Sequence, residues 1–143
     1  MVFQTVIAGA QNINPNLDTA LSRRLEADEY GMKMYQLIIL KSGINKTSDK
    51  HFKDSCFAGH LENIRNLANQ KKLIVAGPFN KNDADFRGLF ILNVKTKEEV
   101  ELILASDPAI QNNFLKPEIY PWYGSAALPE YLPFHDKIWK NNP

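Results

Sequence analysis

Two residues carry the chemistry that this 143-residue chain offers most directly, His60 and Asp107. A carboxylate that accepts from one imidazole nitrogen fixes the ring tautomer and supports the imidazolium form. The second nitrogen is then free to take or give a proton. Such a pair suits isomerisation or elimination beside a carbonyl or a phenol, and it needs no activated serine or cysteine. Each residue also has a plainer reading. A histidine on the border of an apolar helix stripe is equally a satisfied core residue. Asp107 stands before Pro108 as an N-cap stands before the first helical position, and its two oxygens can divide capping from chemistry.

Other side chains are secondary candidates. Arg87 opens an apolar strand, where it is either a solvated charge or a clamp for a substrate carboxylate. Trp122, Tyr123 and Ser125 suit a substrate-binding pocket wall or a dimer contact better than chemistry. Cys56 lies one helical turn before His60 and reads as a small buried hydrophobe. His51 and His135 read as solvated surface residues.

Positioning such a pair takes a folded core, and the composition allows one. Apolar residues make up 44% of the chain and aromatics 10%, enough for one domain without staples. A formal charge of +1 gives no overall electrostatic reason to expect nucleic acid or an anionic membrane as partner, so a small-molecule ligand is expected. One cysteine forbids an internal disulfide, and three histidines make no Cys/His cluster of zinc spacing. No metal and no cofactor are expected. No apolar run approaches the roughly 20 residues of a membrane span. Residues 1–10 end in Ala8-Gly9-Ala10, a small-x-small pattern without a basic flank. They read either as a leader of a cytoplasmic protein or as the end of an export signal to the periplasm.

The elements follow from periodicity and punctuation. Asn14-Pro15 reads as a helix start, Leu17, Leu21 and Leu25 recur every four residues, and Gly31 ends the segment. Residues 34–40, MYQLIIL, read as a central strand covered on both faces. Thr47-Ser48-Asp49 caps a long helix running to about Lys71, with Phe57, Leu61, Ile64 and Ala68 on its inner face and His60 at the border of that stripe. A short strand from Leu73 is broken at Gly77-Pro78, a polar loop follows, and residues 87–94 return as a strand. Thr96 and Glu99 form a capping box for the next helix, which ends at Asp107 because Pro108 disfavours helical geometry before it. Residues 116–123 read as a last strand interrupted at Pro121, as suits an edge or a bulge. The tail from Pro129, with its prolines and aromatics, should wrap over a surface.

The core order is therefore strand, helix, strand, strand, helix, strand. This predicts an α+β, ferredoxin-like βαββαβ antiparallel sheet with both helices on one face, plus an N-terminal helix and a C-terminal tail. The domain limits expected are 1–31 for the extension, 32–128 for the domain and 129–143 for the tail. A sheet apolar on both faces with helices on one side calls for a homodimer packed sheet to sheet. The topology also brings the pair together. His60 lies twelve residues after Ser48 and Asp107 eleven after Thr96, so on roughly parallel helices both sit at nearly the same height.

Four segments in this order resemble a known family. They are Gly59-His60-Leu61 ahead of Leu67, then Leu73 through Phe79, then Arg87-Gly88-Leu89-Phe90, then Ser106-Asp107-Pro108. The pattern resembles the YCII-related (YciI-like) proteins, and residues 122–129 resemble a subgroup with a short N-terminal extension. The resemblance spans residues 34–129. It implies a dimeric α+β barrel with a His-Asp pair in a cleft as the active site, at positions matching His60 and Asp107. One relative eliminates HCl from a chlorinated hydroxyquinol. Residues and resemblance together lead to the expectation of a cofactor-independent small-molecule lyase or isomerase. The competing expectation is a non-catalytic dimeric module that binds or senses a small molecule.

Overall fold

A computed structural model describes residues 14–141. The possible leader at residues 1–10 lies outside the described residues. Four strands form one antiparallel sheet in the order β2-β3-β1-β4: β1 Met32–Ser42, β2 Leu73–Pro78, β3 Phe86–Leu92 and β4 Leu115–Ser125. Helix α2 (Lys50–Asn69) joins β1 to β2, and α3 (Lys97–Ala105) with the short α4 (Pro108–Gln111) joins β3 to β4. This is the ferredoxin-like α+β arrangement. The central strands β1 and β3 carry the β-branched and aromatic residues that suit a sheet covered on both faces.

One face holds the main core. Ile38, Leu40, Phe90 and Leu92 of the sheet pack with Cys56 and Leu67 of α2 and with Val100, Ile103 and Leu104 of α3. On the other face Tyr35, Ile74 and Ile91 form a smaller cluster, against which Leu128 and Leu132 pack from the C-terminal segment. That segment is a 3-10 turn, Leu128–Tyr131, followed by α5, Leu132–His135. The tail thus wraps a sheet face, and it covers part of the surface expected to call for a partner.

Several boundaries differ from the sequence reading for identifiable reasons. The first helix, α1, is Thr19–Arg24 and starts at Asp18, whose carboxylate accepts from the Leu21 N–H at 2.9 Å. Asn14 instead closes a local turn by accepting from the Asn16 N–H, so Asn14-Pro15 does not begin the helix. The helix stops before Glu26, which adopts φ 57°, and Gly31, at φ 73°, serves the turn into β1. Gly77-Pro78 does not break β2. The strand runs through Pro78 because β2 is an edge, where a missing N–H removes no ladder bond. Likewise β4 pairs with β1 without interruption past Pro117 and Pro121, since it forms the other edge.

The long helix is rotated relative to expectation. Its buried residues are Cys56, His60 and Leu67, whereas Leu61 is 45% exposed and Ala68 is exposed. The apolar stripe Phe57, Leu61, Ile64 and Ala68 lines a cleft, and of the four only Phe57 and Ile64 also pack against the core. His60 therefore lies in the buried stripe, not at its border.

Candidate active site

The chain brings its imidazole and carboxylate together through a close crossing of α2 and α4. Gly59 faces Pro108 there, and a Cβ on Gly59 would stand 2.7 Å from the Pro108 Cγ. Only a residue without a side chain permits that approach. The neighbours of these two residues, His60 and Asp107, consequently meet: His60 Nδ1 lies 2.6 Å from Asp107 Oδ2. His60 is 9% exposed and Asp107 is fully buried.

Asp107 uses its two oxygens differently. Oδ1 accepts from the backbone N–H of Ala109 at 2.9 Å and of Ile110 at 3.4 Å, which caps α4. Oδ2 takes the histidine, with the Asn63 amide at 3.5 Å. Burial raises the affinity of this carboxyl for a proton, but the hydrogen bond and charge of His60 oppose it, aided by Ala109 and Asn63. The balance holds Asp107 below the ordinary carboxylate range. An ionised Asp107 has no proton to give, so Nδ1 is the donor and the proton-free ring nitrogen of a neutral His60 is Nε2.

The imidazole plane is held as well as its hydrogen bond. It stacks on Phe90 with ring centres 5.9 Å apart and planes 22° apart, and Phe57 meets it edge-on at 6.1 Å. Among the described residues Nε2 has no hydrogen-bond partner. The ring contributes to the wall of a cleft of about 800 Å³. Leu40, Gly88 and Phe90 of the sheet line it, as do Ile64 and Arg65 of α2, the end of β2 and the C-terminal segment. A fixed imidazole with one engaged and one free nitrogen, beside an apolar cleft, can transfer protons to and from a bound molecule.

Arg87 reaches this cleft by a break in register. Leu40 pairs with Gly88 and Lys41 with Phe86, so Arg87 is the extra residue of a bulge in β3. Bulges redirect side chains in this way, and Arg87 lines both the main cleft and a smaller cavity of about 310 Å³ beside it. Arg65 adds a second guanidinium to the wall; its Nε is buried without a hydrogen-bond partner.

Trp122, Tyr123 and Ser125 are not brought to this cleft. Trp122 packs on Tyr35 with ring centres 5.8 Å apart, on the sheet face away from α2. The Tyr123 hydroxyl donates to Asp28, which pushes that phenol up to about 12, and the Ser125 carbonyl accepts from the Tyr35 hydroxyl at 2.9 Å. Cys56 is a free thiol in the main core, and His51 is exposed. His135 departs from its reading as a solvated residue, since it is half-buried and lines the cleft with Tyr131 and Trp139. Its signal in the sequence is the spacing Tyr131, His135, Trp139, one residue per helical turn. The prolines of the tail obscured that spacing.

Fold and site together define an α+β protein of ferredoxin-like topology with a buried imidazole–carboxylate pair at a cleft. The chain belongs to the YCII-related domain family, whose family model matches residues 35–123. No curated protein matches the sequence. Among solved structures, the chain is similar to 5-chloro-2-hydroxyhydroquinone dehydrochlorinase from Burkholderia phenoliruptrix AC1100, in complex with 2,5-dihydroxybenzoquinone. The identity is 18%, over 61% of this chain and 92% of that one, with a TM-score of 0.44. No helix of the described residues is long and apolar enough to cross a membrane.

Proposed function

We propose that the protein is a small-molecule lyase or isomerase that works by general acid–base catalysis without a cofactor. His60 Nε2 takes a proton from the substrate and returns one, and Asp107 holds the tautomer and balances the imidazolium that forms between the two transfers. The observation that carries this reading is the 2.6 Å contact of Nδ1 with Asp107 in a ring that also lines an 800 Å³ cleft. A core histidine with only a structural role would need neither the void nor the free nitrogen.

The cleft wall indicates the substrate class. Phe57 and the His60 imidazole contribute aromatic rings, while Arg65 and Arg87 offer positive charge. A planar molecule with an acidic oxygen, a phenol or a ring carboxylate, matches both. Arg87 would hold that oxygen. Trp122 and Tyr120 are partly exposed on the opposite face, which in this reading receives a second copy of the chain. Light scattering at micromolar concentration should give the mass of a dimer, and a monomer would remove that part of the reading.

The decisive experiment is a turnover screen over phenols, quinols and ring carboxylates, repeated with His60→Ala. Loss of turnover in a variant that circular dichroism shows still folded supports catalysis by His60; some fall in melting temperature is expected, because Asp107 is left buried without its partner. Unchanged turnover refutes it, and ligand binding without turnover of any compound favours a binding module.

A further inference from the structure

The family match ends at residue 123, yet the cleft continues onto residues beyond it. Tyr131, Leu132, His135, Asp136 and Trp139 all contribute to its wall. These positions recur at helical intervals, so one face of residues 131–139 is turned to the cleft. Backbone bonds from Asp136 to Leu132, Lys137 to Phe134 and Ile138 to His135 maintain those turns. The start of the segment is fastened firmly. The Tyr131 hydroxyl donates to the Ile74 carbonyl, Leu128 and Leu132 pack on the sheet, and Glu130 pairs with Arg24 through both carboxylate oxygens.

The inner face of this segment mixes apolar and polar groups. Leu132 and Trp139 line the cleft beside the half-buried His135 imidazole, whereas Phe134 and Ile138 point away and are 68% and 78% exposed. Burial of apolar area, at about 25 cal/mol per Å², does not by itself account for an imidazole at the cleft while those two side chains stay in solvent. Trp139 lines the cleft but is still 43% exposed, so its indole has area left to bury. His135 is held edge-on to Tyr131 at 6.1 Å.

We propose that residues 131–139 form the second wall of the ligand site, opposite α2, and that His135 and Trp139 bind the ligand. This rests on the reading of the cleft as a site for planar molecules with an acidic oxygen. Trp139 covers the ring of the ligand, and His135 hydrogen-bonds an oxygen on the side away from His60. The molecule bound is thus enclosed by residues outside the family-matched stretch, and these residues select among ligands that His60 can process.

The test is nuclear magnetic resonance on the full chain with labelled histidine rings and indoles, titrated with benzoate, salicylate, catechol and 2,5-dihydroxybenzoate. The chain has two tryptophans, so Trp139→Phe assigns both indole signals, and Trp122 on the other sheet face serves as internal control. Every compound that shifts the His60 ring should also shift the Trp139 indole and the His135 ring. His135→Ala should raise its dissociation constant about tenfold, the loss of one hydrogen bond to a charged group, with His135→Gln recovering part of it. A compound that shifts His60 but neither Trp139 nor His135 overturns the proposal. If none of the four shifts His60, the assignment of the cleft as a site for such ligands fails, and this proposal falls with it.

Discussion

The sheet carries an aromatic cluster on each face, and the two differ in what they leave unfinished. Around His60, Phe57 and Phe90 hold a ring whose second nitrogen has no partner, beside a cleft of about 800 Å³. Around Tyr35 and Trp122 the Tyr35 hydroxyl is engaged, since it donates to the Ser125 carbonyl. Space is used up there as well, since a Cβ on Gly124 would overlap the Trp122 ring. Aromatic content and position in a motif are alike in the two regions. What separates a site from a packing cluster is the coincidence of a void with an unused hydrogen-bonding atom.

The largest effect should follow from removing that atom. His60→Ala is expected to lower turnover by roughly 10²–10⁴ while the fold persists, since Asp107 Oδ1 still caps α4. Asp107→Asn should be milder, roughly 10–100-fold, as for residues that orient a functional histidine. The amide can still cap, but an NH₂ group facing Nδ1 moves the ring proton to Nε2. Kinetics with circular dichroism would check both. The same substitution has a signature in acid. Asp107 is held below its ordinary range in the folded state, so its contribution to stability is complete above the unfolded carboxyl value. It is lost as pH falls through the lowered folded value. Asp107→Asn should therefore be less acid-sensitive than the native chain between those two values, as read by urea midpoints against pH.

The order of elements was legible because each was specified locally. The Thr96 cap of α3, with its N–H bond from Glu99 at 3.2 Å, and the apolar run of β1 needed no tertiary information. The nearness of Asp107 to His60 was also legible from topology, although it is the crossing of α2 with α4, which Asp107 caps, and not parallel running of the two main helices that brings them together. The rotation of α2 was not, because an apolar stripe looks the same whether it faces a core or a cleft: Leu61 and Ile64 line the void while His60 is buried. Nor was the role of the tail, since the prolines suggested irregular chain while Pro129 and Pro133 in fact occupy first turns, where their missing N–H is harmless. The bulge that directs Arg87 depends on the register between two strands, which no local pattern encodes.

Trp122 tests the other side of the comparison. Its ring covers the fully buried Tyr35, so Trp122→Ala should cost about 2 kcal/mol, less than the 3–5 of a fully buried aromatic because Trp122 is itself partly exposed. The loss should appear in the denaturant midpoint and, if the face is a dimer contact, in the mass. A dissociation constant for a cleft ligand that rises well beyond what the stability loss accounts for would return the end of β4 to the pocket.

The sharpest contrast comes from one small change made twice. Gly124→Ala would drive a methyl into the Trp122 ring, and overpacking of that kind costs typically 1–3 kcal/mol. Gly59→Ala would bring its Cβ to 2.7 Å from the Pro108 Cγ, but in the interior of α2 alanine also gains about 1 kcal/mol of helix propensity over glycine. The helix-propensity gain offsets much of the overpacking cost, so the net change in stability should be about 1 kcal/mol, while α2 and α4 are pushed apart by roughly half an ångström or more at the point where His60 meets Asp107. A 2.6 Å contact is already short, so lengthening it weakens a charge-assisted bond that depends on distance. Gly59→Ala should therefore lower turnover several-fold with a modest fall in melting temperature, whereas Gly124→Ala should lower the melting temperature and leave turnover unchanged. If both variants changed only stability, the pair at His60 would behave as packing, and the two faces of the sheet would not differ in kind.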